Sequence, residues 1–254
     1  MRLKGRVALI TGGSGGMGSV TAEEFAREGA RAVGVHYSSS KEAAEEVMGR
    51  VKALGAEARA FRADVARRSE VEAMVRAVVD AWGAIDILVC FAGHPFRREE
   101  WFSPFEELGE ESLLAPLRTD LLGSVHCCQA VIPHMRERGW GRIVLVGSTP
   151  AIVGDTVGIS YLMAKAGILA LGRALALYLG PHGIHVNSIA PGSIKTPAMA
   201  GLTKEEESTL VEASALKRFG DPREVARKAV FLASDDVEFQ TGTTLVVDGG
   251  YALR

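Results

Sequence analysis

The sequence predicts an α/β fold, a single domain over residues 1–254 with one doubly wound parallel sheet of about seven strands and helices on both faces. Three observations carry this. Short apolar runs alternate with helix-length amphipathic stretches from end to end. The apolar runs are continuous, as in strands buried on both faces of a parallel sheet. No linker, repeat or low-complexity segment divides the chain, and 47% apolar residues suffice for one large core.

The elements follow in order. Arg6–Thr11 is a strand, followed by Gly-Gly-Ser-Gly-Gly-Met-Gly and a helical pattern to Glu28. Arg31–Tyr37 is a strand and Lys41–Leu54 an amphipathic helix. Glu57–Arg62 is a strand, and Ser69–Trp82 a helix with Ser69 as N-cap and Glu72 three residues on. Ile85–Phe91 is an unbroken apolar strand, and the insert His94–Gly109 is a long loop of the kind that often carries function. One long helix is expected from about Glu111 to Arg138. Strand Arg142–Gly147, helix Ile159–Leu179 and strand His185–Ile189 come next. Pro191 to about Val211 reads as irregular or short-helical, before helix Pro222–Ala233 and strand Thr243–Val247.

A net charge of −2 without a block of either sign gives no footprint for nucleic acid or an anionic membrane. Three cysteines, two of them adjacent, make a poor disulfide framework and point to a reducing cytoplasm. The apolar run Val7–Ile10 is too short for a signal-peptide core. Ile159–Leu179 contains Lys165 and Arg173 and reads as a buried helix rather than a membrane span. The six histidines form no metal-ligand cluster, so no metal is expected.

A strand that ends in Thr11 and turns through Gly12, Ser14, Gly15, Gly16, Met17 and Gly18 into a helix has the layout of a dinucleotide site. Glycines allow the tight turn and the close approach of backbone to pyrophosphate, and the helix start supplies amide donors. Gly12, Gly16 and Gly18 fit one spacing, and Gly12, Gly15 and Gly18 another. An acid that binds the 2′-hydroxyl of NAD usually stands about 20 residues on. Here Tyr37 occupies that place, followed by Ser38 and Ser39. With no carboxylate to repel a 2′-phosphate, NADP(H) is favoured over NAD(H), although serines that merely cap a helix would suit either.

Tyr161 and Lys165 are four residues apart on a predicted helix and share a face. An ammonium beside a phenol stabilises the phenolate, which turns tyrosine into a usable acid or base near neutrality. Ser148, thirteen residues before Tyr161, sits at the carboxyl end of a strand, where ligands of open α/β sheets bind.

With the Thr11–Gly18 turn, Asp64-Val65, Ala92-Gly93, Ser148, Tyr161-x3-Lys165, Asn187, Pro191-Gly192-Ser193-Ile194-Lys195-Thr196 and Val247-Asp248-Gly249-Gly250, the whole chain resembles the short-chain dehydrogenase/reductase family, in its compact branch of about 250 residues. The resemblance implies a Rossmann-type fold and hydride transfer between a nicotinamide cofactor and a carbonyl or alcohol, closest to the 3-oxoacyl carrier-protein reductases and their relatives acting on sugars and cyclic alcohols. Tyr161 would exchange the proton, Lys165 would assist it and bind the nicotinamide ribose, and Ser148 would orient the reacting oxygen. Asp64 and Val65 would hold the adenine; Pro191, Gly192, Ile194 and Thr196 would line the carboxamide side. Two departures stand out. Cys90-Phe91 replaces an Asn-Asn pair, and Asp120 replaces the asparagine of the family's proton relay. The family's relay water is held by the backbone carbonyl at that place, so the side chain of Asp120 is expected to matter little; if Asp120 takes part directly, its carboxylate must sit near Lys165 or the relay water and pair with the ammonium. A catalytically silent nucleotide-binding regulator is the alternative reading, and Cys90 reads as a small buried strand residue.

Phe96, Trp101, Phe102, Phe105, Ile152, Val157, Met199 and Leu202 are expected to line the substrate cleft. Arg97, Arg98 and Lys195 either meet an acidic substrate tail or are solvated loop charges. The helix Ile159–Leu179 is apolar nearly all round and has only one face to give its own sheet. A homodimer through this helix and the helix Glu111–Arg138 is therefore expected, or a homotetramer that also uses the apolar tail Leu245–Leu253.

Overall fold

The computed structural model describes residues 1–253. It contains β1 (Val7–Thr11), α1 (Gly16–Arg27), β2 (Ala32–Tyr37), α2 (Lys41–Ala53), β3 (Glu57–Arg62), α3 (Arg68–Trp82), β4 (Ile87–Cys90), α4 (Arg98–Phe102), α5 (Glu110–Pro116), α6 (Gly123–Arg138), β5 (Gly141–Val146), α7 (Pro150–Val153), α8 (Ile159–Leu179), β6 (Ile184–Pro191), α9 (Lys204–Ala213), α10 (Pro222–Ala233) and β7 (Thr244–Val247). The strands form one seven-stranded parallel sheet in the order β3-β2-β1-β4-β5-β6-β7. The order reverses between β1 and β4, where Thr11 lies beside Cys90, and such a switch point opens a crevice at the carboxyl ends of the strands.

Period-two alternation divides the core between the two faces. Ala8 and Ile10 of β1 join Phe25, Val47 and Val230 on one side; Val7 and Leu9 join Val75, Met135 and Ile168 on the other. Asn187 staples β6 to the β7 region, donating to the Gln240 carbonyl (3.1 Å) and accepting from the Thr243 amide (3.1 Å).

Three local expectations are corrected. The helix expected over Glu111–Arg138 is α5 and α6 joined by a π-helical turn, Leu117–Leu122. Pro116, which has no amide hydrogen, stands directly before this wide turn, and the turn carries Asp120 into the interior. Ser69 does not cap α3, which begins at Arg68 after a turn fastened by the Asp64 amide donating to Glu70 (2.8 Å). The capping boxes lie elsewhere, at Thr203/Glu206 on α9 and Asp221/Glu224 on α10. The segment after Pro191 is more ordered than expected, with a 3-10 turn at Pro197–Gly201 and the ten-residue helix α9.

By length and composition alone, Ile159–His182 is apolar enough to cross a membrane. Here Ile168 and Leu169 are buried in the core while Met163, Leu177 and Tyr178 are exposed on the outer surface.

Candidate active site at the carboxyl edge of the sheet

The Gly12–Gly18 turn is built by close approach. Gly12 has φ +63°, and a Cβ there would meet the backbone of Phe91 and Ala92 at 2.9 and 2.8 Å. A Cβ on Gly18 would overlap the Gly12 carbonyl, and one on Gly16 would come within 2.9 Å of Thr196. Gly15 is less constrained, since its Cβ would make only an ordinary contact at 3.4 Å. Gly12, Gly13, Gly16 and Gly18 are therefore tight and Gly15 is not, which fits the first of the two spacings. Gly15 donates its amide to the Gly12 carbonyl (3.0 Å), Met17 packs into the core below, and Ser14 is half-buried. No side chain caps α1, which leaves its first amides facing the crevice.

Tyr37, Ser38 and Ser39 follow at the end of β2. Ser40 is the N-cap of α2 and makes no side-chain cap bond, so these serines are not spent on capping. Ser38, Arg62, Asp64, Arg67 and Glu70 line an open cavity of about 280 Å³. Arg62 Nε donates to the Ser38 carbonyl (3.3 Å), whereas Arg67 pairs with Asp64 (3.4 Å) and Glu70 (3.6 Å). Arg62 escaped the sequence reading because only the β2–β3 register sets it beside Tyr37.

The neighbouring segments converge on the same edge. Val65 packs against Gly123, where a Cβ would sit 2.7 Å from its side chain. The Ala92 amide donates to Thr11 Oγ1 (3.2 Å), and Gly93 backs onto the Asp120 carboxylate. Pro191 accepts from the Thr149 amide (2.9 Å), Gly192 donates to Val247 (3.0 Å), and Ile194 is buried beside Gly220. Thr196 closes against the Gly12–Gly18 turn at Gly16.

Ser148 is buried just past β5, and Tyr161 stands in the first turn of α8. Lys165 lies one turn further on, with Nζ 5.5 Å from the centre of the Tyr161 ring. The Lys165 ammonium is buried, donates to the Val146 carbonyl (3.1 Å) and lies 3.0 Å from Asp120 Oδ1. That approach is off the hydrogen-bond direction, so the contact is an ion pair. Burial opposes the charge on Lys165. The Asp120 carboxylate, with Tyr161 and Cys90, outweighs it and raises the lysine above its ordinary range.

The Asp120 carboxylate lies where direct participation requires it, beside Lys165. Asp120 is 1% exposed, its Oδ2 accepts from the His94 amide (2.6 Å), and its backbone carbonyl accepts from Ser124 Oγ (2.7 Å). The π-helical turn points the carboxylate at Lys165 and hands the carbonyl to a neighbouring hydroxyl. Cys90, Cys127 and Cys128 are free and buried.

Above Tyr161 the long insert folds down as α4. The Trp101 ring lies 5.2 Å from the Tyr161 ring and 5.5 Å from that of Phe96. Gly158, with φ +64°, donates its amide to Trp101 (2.9 Å), and a Cβ there would strike the indole at 2.9 Å. Arg98 is not available to an acidic substrate, because it forms a bidentate pair with Glu206 on α9 (2.6 and 3.0 Å). Arg97 leans towards Glu100 (3.9 Å), Lys195 is exposed, and Phe102, Phe105 and Ile152 are exposed too. Trp101 is expected in the cleft, but its tilted ring contact with the tyrosine is not, since nothing local in the sequence specifies it. Among the described residues no group of three or more His, Cys, Asp or Glu side chains is placed to hold a metal ion.

Comparison with known proteins agrees with this geometry. Residues 12–252 match the family model described as enoyl-(acyl carrier protein) reductase. The chain is 35% identical over 243 residues to the 3-oxoacyl-(acyl-carrier-protein) reductase of Staphylococcus epidermidis, covering 96% of this chain and 97% of that protein. It is 37% identical over 258 residues to the L-rhamnose 1-dehydrogenase (NAD(P)(+)) of Azotobacter vinelandii, covering 98% of each. Among solved structures, a short-chain dehydrogenase/reductase of Serratia marcescens superimposes with a TM-score of 0.91 at 31% identity, covering 99% of this chain and 100% of that one. A glycine cradle, a buried lysine under a tyrosine and whole-chain similarity lead to one conclusion: the chain belongs to the short-chain dehydrogenase/reductase family, and it is an NAD(P)-dependent oxidoreductase that transfers hydride between a nicotinamide cofactor and a carbonyl or alcohol.

Proposed function

We propose that the protein is an NADP(H)-preferring carbonyl reductase and alcohol dehydrogenase in which Tyr161, Lys165, Ser148 and Asp120 manage the proton. The observation that carries this is the Lys165 ammonium, buried and held charged between the Val146 carbonyl and the Asp120 carboxylate, 5.5 Å from the Tyr161 ring. The cradle fits a dinucleotide, because Cβ atoms at Gly12 and Gly18 would fill space that backbone already approaches, and one at Gly16 would strike the Thr196 side chain that borders the turn. When bound, the nicotinamide group supplies or accepts the hydride.

The chain does the rest. Gly12, Ser14, Gly15, Gly16, Met17 and Gly18 surround the pyrophosphate, Asp64 and Val65 the adenine, and Ala92 and Gly93 the adjoining ribose. Pro191, Gly192, Ile194 and Thr196 border the carboxamide. In reduction the Tyr161 hydroxyl gives its proton to the substrate oxygen; in oxidation the phenolate takes it back. Lys165 stabilises the phenolate, Ser148 hydrogen-bonds the reacting oxygen, and Asp120 keeps Lys165 charged. Tyr37, Ser38, Ser39 and Arg62 receive the 2′-phosphate, for which a guanidinium is a strong partner. The substrate is a small carbonyl or alcohol compound with an apolar or cyclic body, received by Trp101 and Phe96. Nucleic acid and membrane are not partners in this reading.

The outward side chains Met163, Leu177 and Tyr178 on α8, with Leu122, favour a homodimer, and exposed Val246 and Leu253 favour a second contact and a homotetramer. Three free buried thiols suit a cytoplasmic enzyme.

A panel of ketones and alcohols with NADPH and NADH tests the reading. Tyr161→Phe is expected to keep cofactor binding and lose ~10²-fold or more in turnover. Turnover within a few fold of wild type removes Tyr161 from the role. Arg62→Ala is expected to weaken NADP⁺ about ten-fold, the scale of one charge-assisted bond, with NAD⁺ unaffected. Tyr37→Asp should reverse the preference, and tighter wild-type binding of NADH than NADPH overturns it.

A further inference from the structure

His36 lies in β2, is 2% exposed, and has no part in the proton chemistry described above. Its ring spans two other elements. The Gly12 amide donates to Nδ1 (2.9 Å), and Nε2 lies 3.0 Å from the Ala63 carbonyl at the end of β3. An amide can only donate and a carbonyl can only accept. Nδ1 must therefore present a lone pair and Nε2 must carry the hydrogen, which leaves one tautomer and no charge. Gly12 is the residue with φ +63° on which the phosphate turn pivots, and Ala63 directly precedes Asp64 on the adenine side.

We propose that His36 is a positioning residue: a neutral, tautomer-locked strut that holds the phosphate turn in its binding shape and ties it to the adenine side, so that protonating the ring weakens dinucleotide binding without touching the chemical step. A proton on Nδ1 would face the Gly12 amide hydrogen, and one of the two would have to move away. Burial pushes the ring below the ordinary histidine value; the Ala63 carbonyl and the nearby Cys90 and Asp64 pull the other way. The device therefore holds at and above the ordinary histidine value and fails only in acid. This inference rests on reading the Gly12–Gly18 turn as the dinucleotide site.

The two nitrogens are separable by substitution. The side-chain amide of His36→Asn reaches the place of Nδ1 and can accept from Gly12, while that of His36→Gln reaches the place of Nε2 and can serve only Ala63. Neither titrates. NADP⁺ affinity measured by calorimetry at pH 7.5 is expected to stay within about three-fold of wild type in His36→Asn and to weaken about ten-fold in His36→Gln, the scale of one buried hydrogen bond. Turnover at saturating cofactor should stay within about two-fold in both, because the strut does not enter the transition state. As the pH is lowered from 7.5 to the acid limit of folding, the ratio of wild-type to His36→Asn dissociation constants should rise; taking the ratio cancels the titration of the ligand's own phosphate. Equal affinities in the two variants at pH 7.5, or a ratio that stays flat with pH, overturns the role of His36. No NADP⁺ or NAD⁺ binding by the wild-type protein at any pH overturns the dinucleotide reading instead.

Discussion

His36 under the Gly12–Gly18 turn and Lys165 under Tyr161 are both buried and ionisable, yet the protein keeps one neutral and the other charged. Burial disfavours the charge on each. The partners decide the outcome. His36 meets a backbone amide and a backbone carbonyl, a pair that only a neutral imidazole can satisfy. Lys165 meets a carboxylate, which repays the loss of water. The binding half of the site thus rests on main-chain geometry, and the chemical half rests on a buried charge that needs its counter-charge.

The comparison breaks most visibly at Asp120. Asp120→Leu leaves the Lys165 ammonium buried without its partner and is expected to cost about 3–5 kcal/mol in urea unfolding. The double variant Asp120→Leu/Lys165→Met should recover most of that loss, since removing both charges removes the stranded one. Equal stability of the single variant and the wild type would mean that the pair is solvated.

The two groups should also fail at opposite ends of the pH scale. His36 is depressed below 6.5, so the unfolded chain takes up its proton first as the medium turns acid. Its contribution is present above that value and is lost as pH falls through the folded-state value. Lys165 is raised above 10.5, so its contribution is present below that value and is lost as pH rises through the folded-state value. His36→Asn should therefore flatten the acid limb of the unfolding midpoint and leave the alkaline limb unchanged. A variant that flattens both limbs, or neither, refutes the division.

The finest effect lies in the kinetics. Asp120→Asn keeps the shape but removes the carboxylate that holds Lys165 charged, so the lysine loses its proton more readily and supports the Tyr161 phenolate less. The pH–rate profile is expected to move to higher pH by about one unit. An unmoved profile would mean that Asp120 serves only to place the backbone.

Much of this was legible from local pattern. Continuous apolar runs mark the strands, and the glycines after Thr11 mark the turn, because close backbone approach admits no other residue at Gly12 and Gly18. Tyr161 and Lys165 are one helical turn apart, so spacing alone puts them on one face. What stayed hidden depends on contacts between distant segments. His36 reaches Gly12 and Ala63 across 24 and 27 residues. Arg62 meets Ser38 across 24 residues. The π-helical turn at Leu117–Leu122 has no sequence signature beyond Pro116, yet it decides that Asp120 points inwards.

The strand order has a further consequence for how the chain is made. From β1 onwards β4, β5, β6 and β7 join the same edge of the sheet in the order in which they are synthesised. Each new strand covers the edge left by the one before, and no late strand has to insert between two earlier ones. The growing sheet exposes one unpaired edge at a time on that side, which limits the template it offers to other nascent chains. The last strand, β7, is only four residues long and nowhere fully buried, and a short terminal strand is a poor template for further pairing. A ribosome stalled before residue 244 would hold β6, eight residues long, as the open edge, the longest strand the growing sheet leaves exposed on that side.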